Sequence, residues 1–288
     1  MKILPFKIPK SSEETFMVQI DYEPYLYDML HKHPEVQLTL VVEGTGSLFL
    51  GDYVGDFKPG DVFIVGSNIP HVFKSDKEHY DDLGLIAHCI SVFFDENAFG
   101  GTPGRLPETK EIYDLILKSK QGIKVTGQTA EEIGSTILAI PELEGIDRVI
   151  QLLQLFATLV NSEEYQLLSL EVHDYDVKDT EGNRLNKVLQ FTLNEYNRHI
   201  TIEEVANIAH LTPSAFCRFF KQRTRKTYLN FLMELRISQA CKLLFNKNHT
   251  ITQICYMTGF NNVSNFNRKF KKLKGCSPSE YLKVHGGV

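Results

Sequence analysis

The most constraining feature of the sequence is a device that occurs twice between Thr201 and Tyr281. Each copy has a capped short helix, a tight turn and a second helix rich in Arg and Lys. The copies read TIEEVANIAHLTPSAFCRFFKQ and TITQICYMTGFNNVSNFNRKFKK. Thr201 precedes Glu204 by three residues, and Thr250 precedes Gln253 likewise, which is the spacing of a capping box. Two such helix-turn-helix units predict an all-α domain that reads the DNA major groove.

The second helix of each copy has its own start signal. Thr212 followed by Pro213 is an N-cap with proline at the first helical position, and Asn262 caps the other helix. Apolar residues then recur at helical spacing and predict one buried face per unit. They are Val205, Ile208, Phe216, Phe219, Phe220, Ile254, Met257, Phe260, Phe266 and Phe270. We interpret the phenylalanines as core residues and not as base-stacking aromatics, because they follow the helical period.

Net charge becomes informative once it is divided between the two parts of the chain. The whole sequence carries 31 basic and 36 acidic residues, a formal charge of −5. From Gly182 onward there are 17 basic and 5 acidic residues, a balance of +12, and the remainder has 14 basic and 31 acidic residues. Charge runs are most often solvated faces, but here the basic residues coincide with the helix-turn-helix pattern. The asymmetry therefore favours a polyanion-binding module joined to an acidic partner domain.

Length and composition bound the class of protein. A chain of 288 residues is ample for two domains with separate cores. No apolar run approaches the ~20 residues that a membrane span needs, and the N-terminal MKILPFKIPK lacks the hydrophobic core of a signal peptide. The five cysteines are scattered, and no two form a C-x-x-C pair. We therefore expect a cytoplasmic protein with reduced thiols and no membrane association.

Residues 15–95 favour short strands punctuated by turns. LTLVVEGTGSLFLGD and FKPGDVFIVGSNIPHVF each contain two β-leaning runs, and LGLIAHCISVFF is a further one. Several short strands separated by Gly and Pro predict a small antiparallel barrel or sandwich. Two motifs resemble those of the cupin family: HKH, with His31 and His33, leading to GTG at 44–46, and PGD at 59–61, leading to His71. The resemblance implies a cupin-like β-barrel.

Three histidines are the candidate ligand-binding residues of this barrel. His31 and His33 are separated by one residue, so on a strand both point to the same face, and His71 follows the turn NIP. In metal-binding cupins a Glu usually follows the second His by four residues, whereas this chain has Gln37, with Glu35 two residues earlier. A neutral amide is a weaker ligand than a carboxylate. We therefore predict that the histidines and Gln37 line an effector pocket, with no metal or other cofactor. A metal site formed by the three histidines, or partly buried polar residues with no ligand, are the alternatives.

Residues 107–162 change to a helical period. LPETKEIYDLILKSKQG, TAEEIGSTILAI and GIDRVIQLLQLFATLVNS predict amphipathic helices, and the last has a wide apolar stripe. Part of the apolar surface of these helices must cover the barrel. The remaining apolar surface fits either an isologous dimer contact or core packing within one chain. SLEVHDYDVKDTEGNR is acidic and lacks helical periodicity, which places a linker at 168–182. The prediction is an α+β protein with a cupin-like domain at 1–167 and an all-α domain at 183–288.

A long helix is predicted between the two helix-turn-helix units, within TYLNFLMELRISQACKLLFNKN. One stripe of it comprises Leu229, Met233, Ile237, Ala240 and Leu244. From Tyr228 to Asn246 the helix would be about 28 Å long at ~1.5 Å per residue. Such a rod is long enough to hold two recognition helices near the ~34 Å separation of successive major grooves.

The stretch 184–284 resembles the DNA-binding domain of AraC/XylS-type transcription regulators. The matching pattern is YL-x6-R-x3-A-x2-LL, then I-x2-I-x4-GF, F-x-R-x-FK and G-x-SP-x2-Y. In this chain its residues are Tyr228, Leu229, Arg236, Ala240, Leu243, Leu244, Ile251, Ile254, Gly259, Phe260, Phe266, Arg268, Phe270, Lys271, Gly275, Ser277, Pro278 and Tyr281. Cys255 departs from the family, which commonly has Ala there. A cupin-like N-terminal domain is the usual companion in this family, so the two resemblances support each other.

By position in that pattern, the resemblance implies base contacts on the exposed faces of the two recognition helices. The residues are Ser214, Cys217 and Arg218 in the first, and Val263, Ser264, Asn267 and Arg268 in the second. Arg bonds guanine bidentately, Asn pairs with adenine, and Val contacts the thymine methyl. A phosphate contact is equally open for Arg218, since such contacts are common. The predicted phosphate contacts are Lys221, Arg223, Lys269 and Lys271, while Arg236 is expected to be structural.

Two functions from different classes are compatible with these patterns. The favoured one is a ligand-responsive, sequence-specific transcription regulator, more often an activator in this family, whose front barrel senses a sugar or another small metabolite. Its partners would be double-stranded DNA, the effector, a second copy of the chain and, for an activator, RNA polymerase. The alternative is a metal-dependent cupin enzyme, which requires open metal coordination positions at the three histidines. No Ser/His/Asp pair, Cys/His pair or phosphate-binding glycine loop appears at informative spacing.

Overall fold

The computed structural model describes residues 16–81, 83–98, 106–169, 179–224, 226–245 and 249–285. The chain divides into two compact units, Met1–Val177 and Lys178–Val288. Among the described residues, no helix combines the length and the apolarity that crossing a bilayer requires. The first unit is β-rich and the second is helical, as the predicted α+β architecture requires. The linker predicted at 168–182 overlaps a helix that begins at Asp179, and most of that segment lies outside the described residues.

Antiparallel strands make up most of the first unit. They are β1 (Phe16–Glu23), β2 (Val36–Glu43), β3 (Gly46–Leu50), β4 (Tyr53–Phe57), β5 (Val62–Val65), β6 (His71–Ser75), β7 (Ala87–Phe94), β8 (Ile123–Val125) and β9 (Tyr165–Leu167). Six of them form a sheet in the order β1-β7-β2-β5-β8-β9, and three form a second sheet in the order β4-β3-β6. Along the described strands the hydrogen bonds therefore make two sheets and do not close into one ring, which is consistent with an open cupin-like barrel.

The central strands β2, β5 and β7 of the six-stranded sheet are buried on both faces, and their sequence shows why. In β5, Val62 and Ile64 join the core beneath the helices, while Phe63 and Val65 join the core between the sheets. Alternate side chains of a strand point to opposite faces, so a strand covered on both sides is a continuous apolar run such as VFIV. In β2 the same alternation sends Leu38 to the helix side and the polar residues on either side of it to the other face.

Three helices cover the outer face of this sheet: α1 (Lys110–Lys118), α2 (Gly127–Ala139) and α3 (Gly145–Val160). Their buried residues, including Ile116, Ile137 and Phe156, join the same core as the sheet. The three predicted helices are thus present. The sequence did not predict β8 and β9, because three residues are too few to show a period of two. On α3, Ile146 and Ile150 are 68% and 45% exposed, so these two apolar residues are not used in this core.

The second unit is built from seven helices within its described residues. They are α4 (Asp179–Glu195), α5 (Ile202–Ile208), α6 (Pro213–Thr224), α7 (Tyr228–Phe245), α8 (Ile251–Met257), α9 (Val263–Lys274) and α10 (Pro278–His285). Helix α7 packs against α6 on one side and against α8, α9 and α10 elsewhere. Most of α7 is therefore apolar and buried, but Leu229, which the sequence places on its stripe, is 56% exposed. A helix between two cores buries more than one stripe, so periodicity alone does not identify its exposed side.

The predicted caps define where the helices of this unit begin. The Thr250 side chain accepts a hydrogen bond from Gln253 N, and the Gln253 side chain accepts one from Thr250 N, which completes the capping box. Thr201 accepts from the Glu204 amide in the same way. Asn262 accepts from the amide three residues on. Each cap satisfies an amide that has no partner within its helix, and contributes about 1 kcal/mol to stability.

Candidate DNA-binding surface and effector pocket

Helix α6 separates its apolar and polar residues onto different faces. Phe216 and Phe220 are fully buried and pack edge-on against the Tyr228 ring of α7. Phe219 is half-buried, so it belongs to the core less completely than the sequence predicts. The residues predicted to touch DNA, namely Ser214, Cys217, Arg218 and Lys221, are exposed, and Arg223 is half-buried. The helix thus presents a polar and basic surface to solvent.

Helix α9 repeats this arrangement. Phe266 and Phe270 are fully buried in a core shared with α7, α8 and Tyr281. On the other side Arg268 Nη2 donates to Asn265 Oδ1 at 3.0 Å, so the guanidinium is held over the solvent-facing side of the helix. The predicted DNA-contacting residues Ser264, Asn267, Arg268 and Lys271 are exposed, while Val263 and Lys269 are half-buried. Met257 of α8 is 42% exposed, although the sequence places it on the buried stripe.

The turns of the two helix-turn-helix copies have the same backbone conformation at one position. His210 in the first turn and Gly259 in the second have left-handed φ angles of 53° and 80°. In each copy, the amide of the residue after this position donates to the carbonyl of a small buried residue of the preceding helix. Leu211 N donates to Ala206 O at 2.9 Å, and Phe260 N donates to Cys255 O at 3.1 Å. The repeat in the sequence is thus a repeat in backbone geometry, although one more residue separates the helices in the second turn than in the first.

Arg236 connects the second turn to the segment before α5. Its Nε donates to Tyr196 O at 2.8 Å and its Nη2 donates to Arg198 O at 2.7 Å. Its guanidinium carbon lies 6.0 Å from the centre of the Phe260 ring. A Cβ added at Gly259 would lie 2.5 Å from Tyr196 O and 2.9 Å from Arg236 Nε. Glycine is therefore required at this turn for two reasons, its φ angle and the space that Arg236 occupies.

In the first unit the structure brings together the residues predicted for the effector site. His31, His33 and His71 each offer a ring nitrogen within 4.8 Å of the others. The amide oxygen of Gln37 lies 3.1 Å from His33 Nε2 and 2.9 Å from His71 Nε2. The segment before β2 reaches β6 through a backbone bridge between His31 and His71, which explains how residues from two motifs meet.

Each histidine is anchored through its other ring nitrogen. The Nδ1 atoms of His31, His33 and His71 lie 2.9, 2.9 and 2.7 Å from the backbone oxygens of the residues two positions away. A carbonyl accepts only, so each Nδ1 carries the hydrogen and each Nε2 of a neutral ring has a lone pair. Burial lowers the pKa of all three imidazoles, that of His31 to about 4, so the rings are neutral at pH 7.

Next to this cluster lies a cavity of about 50 Å³, lined by His31, Tyr27, Leu26, Phe73 and the inner face of the six-stranded sheet. Strand register explains its polar floor. Gln19 of β1 and Thr39 of β2 are both paired with Ser91 of β7, so three polar side chains form one row across the sheet. Burial raises the pKa of Asp21, which lies two residues along β1 from Gln19. The cavity is far smaller than the 300–1,000 Å³ of most small-molecule pockets, so a sugar does not fit in it as it stands.

The sequence identified the four central residues but not the rest of the pocket. Gln37 Nε2 donates to Thr39 Oγ1 at 2.8 Å, and the Thr39 and Ser91 hydroxyls lie 2.9 Å apart. Thr39 could have been proposed from its alternation with Gln37 along β2. Ser91 is 52 positions further along the chain, and no local pattern links it to this site.

Comparisons with known proteins agree with both halves of this description. Residues 20–138 match the family of the AraC-like ligand binding domain, and residues 205–283 match a helix-turn-helix domain family. The uncharacterized HTH-type transcriptional regulator YdeC of Bacillus subtilis is 26% identical over 263 residues, which cover 90% of this chain and 87% of that protein. The HTH-type transcriptional activator RhaR of Mannheimia succiniciproducens is 23% identical over 257 residues, which cover 88% of this chain and 86% of that protein. Among solved structures, the DNA-binding domain of AdpA in complex with a target DNA is 24% identical over 35% of this chain and 92% of that one, with a TM-score of 0.34.

Proposed function

Because this chain belongs to the AraC family of DNA-binding transcription regulators and has an N-terminal ligand-binding domain, we propose that α6 and α9 are its two recognition helices. The observation that carries the proposal is the division of faces on these helices. Each buries two phenylalanines and leaves a row of polar and basic residues in solvent. A helix with that division can enter a major groove without disturbing its own core.

The proposed base contacts follow from side-chain chemistry. Arg218 and Arg268 bond guanine O6 and N7, Asn267 pairs with adenine, and Val263 packs on a thymine methyl. Ser214, Cys217 and Ser264 complete the base-facing set. Lys221, Arg223, Lys269 and Lys271 neutralise phosphates and fix the position of the protein on the duplex. The positive balance from Gly182 onward supports this assignment, since it supplies the charge that displaces counterions from DNA.

We propose that the cluster of His31, His33, Gln37 and His71 binds the effector, and that binding there changes operator affinity. An effector shifts an equilibrium only through a difference in affinity for the two states, so the bound form must favour one arrangement for DNA binding. The exposed Ile146 and Ile150 of α3 support a homodimer formed by this helix and its copy. We further propose that the protein acts in the cytoplasm, without an enzymatic step, and contacts RNA polymerase where it activates.

The test is a titration of the full-length protein against operator DNA at several salt concentrations. Genomic fragments enriched by binding to the protein supply the operator. We expect the logarithm of the association constant to fall linearly with the logarithm of salt, with a slope of about −0.9 per phosphate neutralised. Lys271→Ala reduces that slope by about 1 and weakens all sequences alike, whereas Asn267→Ala costs about 1–3 kcal/mol and relaxes specificity at one base pair.

Lys58→Ala is the control for charge, because Lys58 is an exposed lysine in the turn between β4 and β5 of the other unit. It removes the same charge and is expected to leave both slope and specificity unchanged. A slope near zero for the unaltered protein would remove the phosphate contacts from the proposal. Equal effects of Lys58→Ala and Lys271→Ala would remove the assignment of α9 as a recognition helix.

A further inference from the structure

The histidine cluster contains donor atoms that face each other with no hydrogen between them. The Nε2 atoms of His33 and His71 carry lone pairs, because their Nδ1 hydrogens are committed to backbone carbonyls. Both face the amide oxygen of Gln37, which also has only lone pairs, at 3.1 and 2.9 Å. The Gln37 NH₂ group is occupied elsewhere, with Thr39 Oγ1 at 2.8 Å and Ser91 Oγ at 3.4 Å. With the amide in this orientation, such a convergence of buried acceptors is unfavourable unless a cation lies among them.

The distances fit such a cation. An ion bound at ~2.1 Å separates neighbouring ligand atoms by about 3.0 Å in octahedral and about 3.4 Å in tetrahedral geometry. The two observed separations are close to the octahedral value. One ligand nitrogen from each of the three histidines also lies within 4.8 Å of the others. Opposite ligands of one ion at ~2.1 Å are ~4.2 Å apart, so a small movement of the rings brings all three nitrogens within reach of one ion. The Nδ1 anchors fix the orientation of each ring and leave Nε2 as the atom with the lone pair, as outer-shell hydrogen bonds do at metal centres.

We infer that Nε2 of His31, His33 and His71, with Oε1 of Gln37, binds one divalent first-row transition metal ion, and that this ion is the regulatory ligand of the N-terminal unit. The second part rests on the proposed regulatory function, whereas the first rests on geometry alone. Imidazole donors select zinc, nickel, cobalt or iron over magnesium and calcium, which require oxygen ligands. The sequence favoured a pocket without metal because Gln37 replaces a carboxylate, but the amide oxygen of Gln37 lies between His33 Nε2 and His71 Nε2, where it can serve as a fourth ligand.

Two further features suit an ion at this site. The four donors are neutral, and the carboxylate of Glu35, whose Oε2 is buried and 3.7 Å from His33 Nδ1, places a negative charge behind them. His31 forms part of the wall of the 50 Å³ cavity, which leaves room for one or two water molecules on the ion. Open coordination positions of this kind allow a small anion to bind next to the metal.

One arrangement without a metal satisfies the same atoms. If the Gln37 amide is reversed, its NH₂ group donates to His33 and His71, and its oxygen accepts from the Thr39 hydroxyl. The two arrangements respond differently to Gln37→Glu. A carboxylate strengthens a metal site, because it adds an anionic ligand, whereas it cannot donate to two neutral imidazoles.

The experiment uses untagged, full-length protein that has been freed of metal by chelation, since a histidine tag would bind the same ions. Zn²⁺, Co²⁺ and Ni²⁺ chlorides are titrated separately by calorimetry, and metal content after dialysis is measured by mass spectrometry. We expect one ion per chain, tighter binding in Gln37→Glu, and at least ~100-fold weaker binding in His33→Asn. His79→Asn is the control, because His79 is also buried and anchored by Nδ1 to a carbonyl, Pro24 O at 2.9 Å, but belongs to a different site.

Circular dichroism checks that each variant is folded. If His33→Asn is not folded, the metal stoichiometry of the unaltered protein decides whether the cluster binds an ion. A folded protein that binds none of the three ions at one per chain overturns the inference, as does weaker binding in Gln37→Glu. Operator binding is measured separately with and without metal. A protein that binds metal but no operator refutes the proposed function and leaves the site standing, and operator affinity that metal does not change refutes the regulatory part alone.

Discussion

Replacing Gly259 by Ala tests whether Arg236 and the second turn form one structural unit. The left-handed φ angle of 80° costs a non-glycine residue about 1–2 kcal/mol. The new Cβ would also lie 2.5 Å from Tyr196 O and 2.9 Å from two atoms of Arg236, so the guanidinium must move. Losing one of its two hydrogen bonds to carbonyls costs about 1.5–3 kcal/mol more, because the donor is charged. The expected destabilisation of the C-terminal unit is therefore about 2.5–5 kcal/mol.

Gly275→Ala is the control for this prediction. Gly275 has nearly the same φ angle, 79°, but a Cβ there would meet nothing within 4 Å. We expect only the backbone cost of about 1–2 kcal/mol. Urea unfolding of each full-length variant, followed by circular dichroism, gives the difference between them. A destabilisation in Gly259→Ala no larger than in Gly275→Ala would refute the claim that the Arg236 contacts stabilise the turn.

Three further substitutions have outcomes that the structure specifies. Thr250→Ala removes both hydrogen bonds of the Thr250 side chain to Gln253, so we expect urea titrations to show a free energy of unfolding lower by about 1 kcal/mol. The control is Thr252→Ala, on the exposed first turn of α8, which should change that free energy by less than about 0.5 kcal/mol. Tyr228→Phe leaves the aromatic packing intact but removes the 3.0 Å contact between its hydroxyl and Thr192 Oγ1, so it is expected to cost about 0.5–1.5 kcal/mol; an unchanged midpoint would show that this bond adds nothing. Ile150→Asp is expected to convert a dimer to a monomer in sedimentation experiments without unfolding the protein, because Ile150 is 45% exposed, and a monomeric unaltered protein would rule out the proposed α3 contact.

The C-terminal unit was largely predictable because its information is local. Each helix-turn-helix copy carries its own cap, its own apolar period and its own turn within about twenty residues. Thr250 and Gln253 form the predicted box, and Phe266 and Phe270 are buried as the spacing requires. Helix α4 was not predicted, since its first turn lies in an acidic stretch that lacks a helical apolar period.

Predictions failed where a residue's environment depends on two packing partners. Leu229 shares a helical stripe with Ile237 and Leu244, yet it is exposed while they are buried. Helix α7 lies between two cores, so tertiary contacts, and not the period of its apolar residues, determine which side faces solvent. Met257 and Phe219 are less buried than their spacing indicates, which shows that a regular apolar stripe can extend beyond the core it covers.

The proposed effector site was half predictable for a related reason. The H-x-H pair placed His31 and His33 on one face, and the second motif supplied His71. The position of Gln37 between His33 and His71 depends on the pairing of β2 with its neighbours. The polar floor depends on the register of β1 and β7, which pairs Gln19 and Ser91. Register between strands that are distant in sequence is not encoded by any short motif.

The central claim is that α6 and α9 occupy two major grooves on one face of the operator. Protection of guanine N7 from methylation measures this directly, because N7 lies in the major groove. We expect two clusters of protected guanines whose centres are about 10–10.5 base pairs apart for each bound chain, with the first cluster lost in Arg218→Ala and the second in Arg268→Ala. A single cluster per chain, or two clusters that respond identically to both variants, would contradict the account.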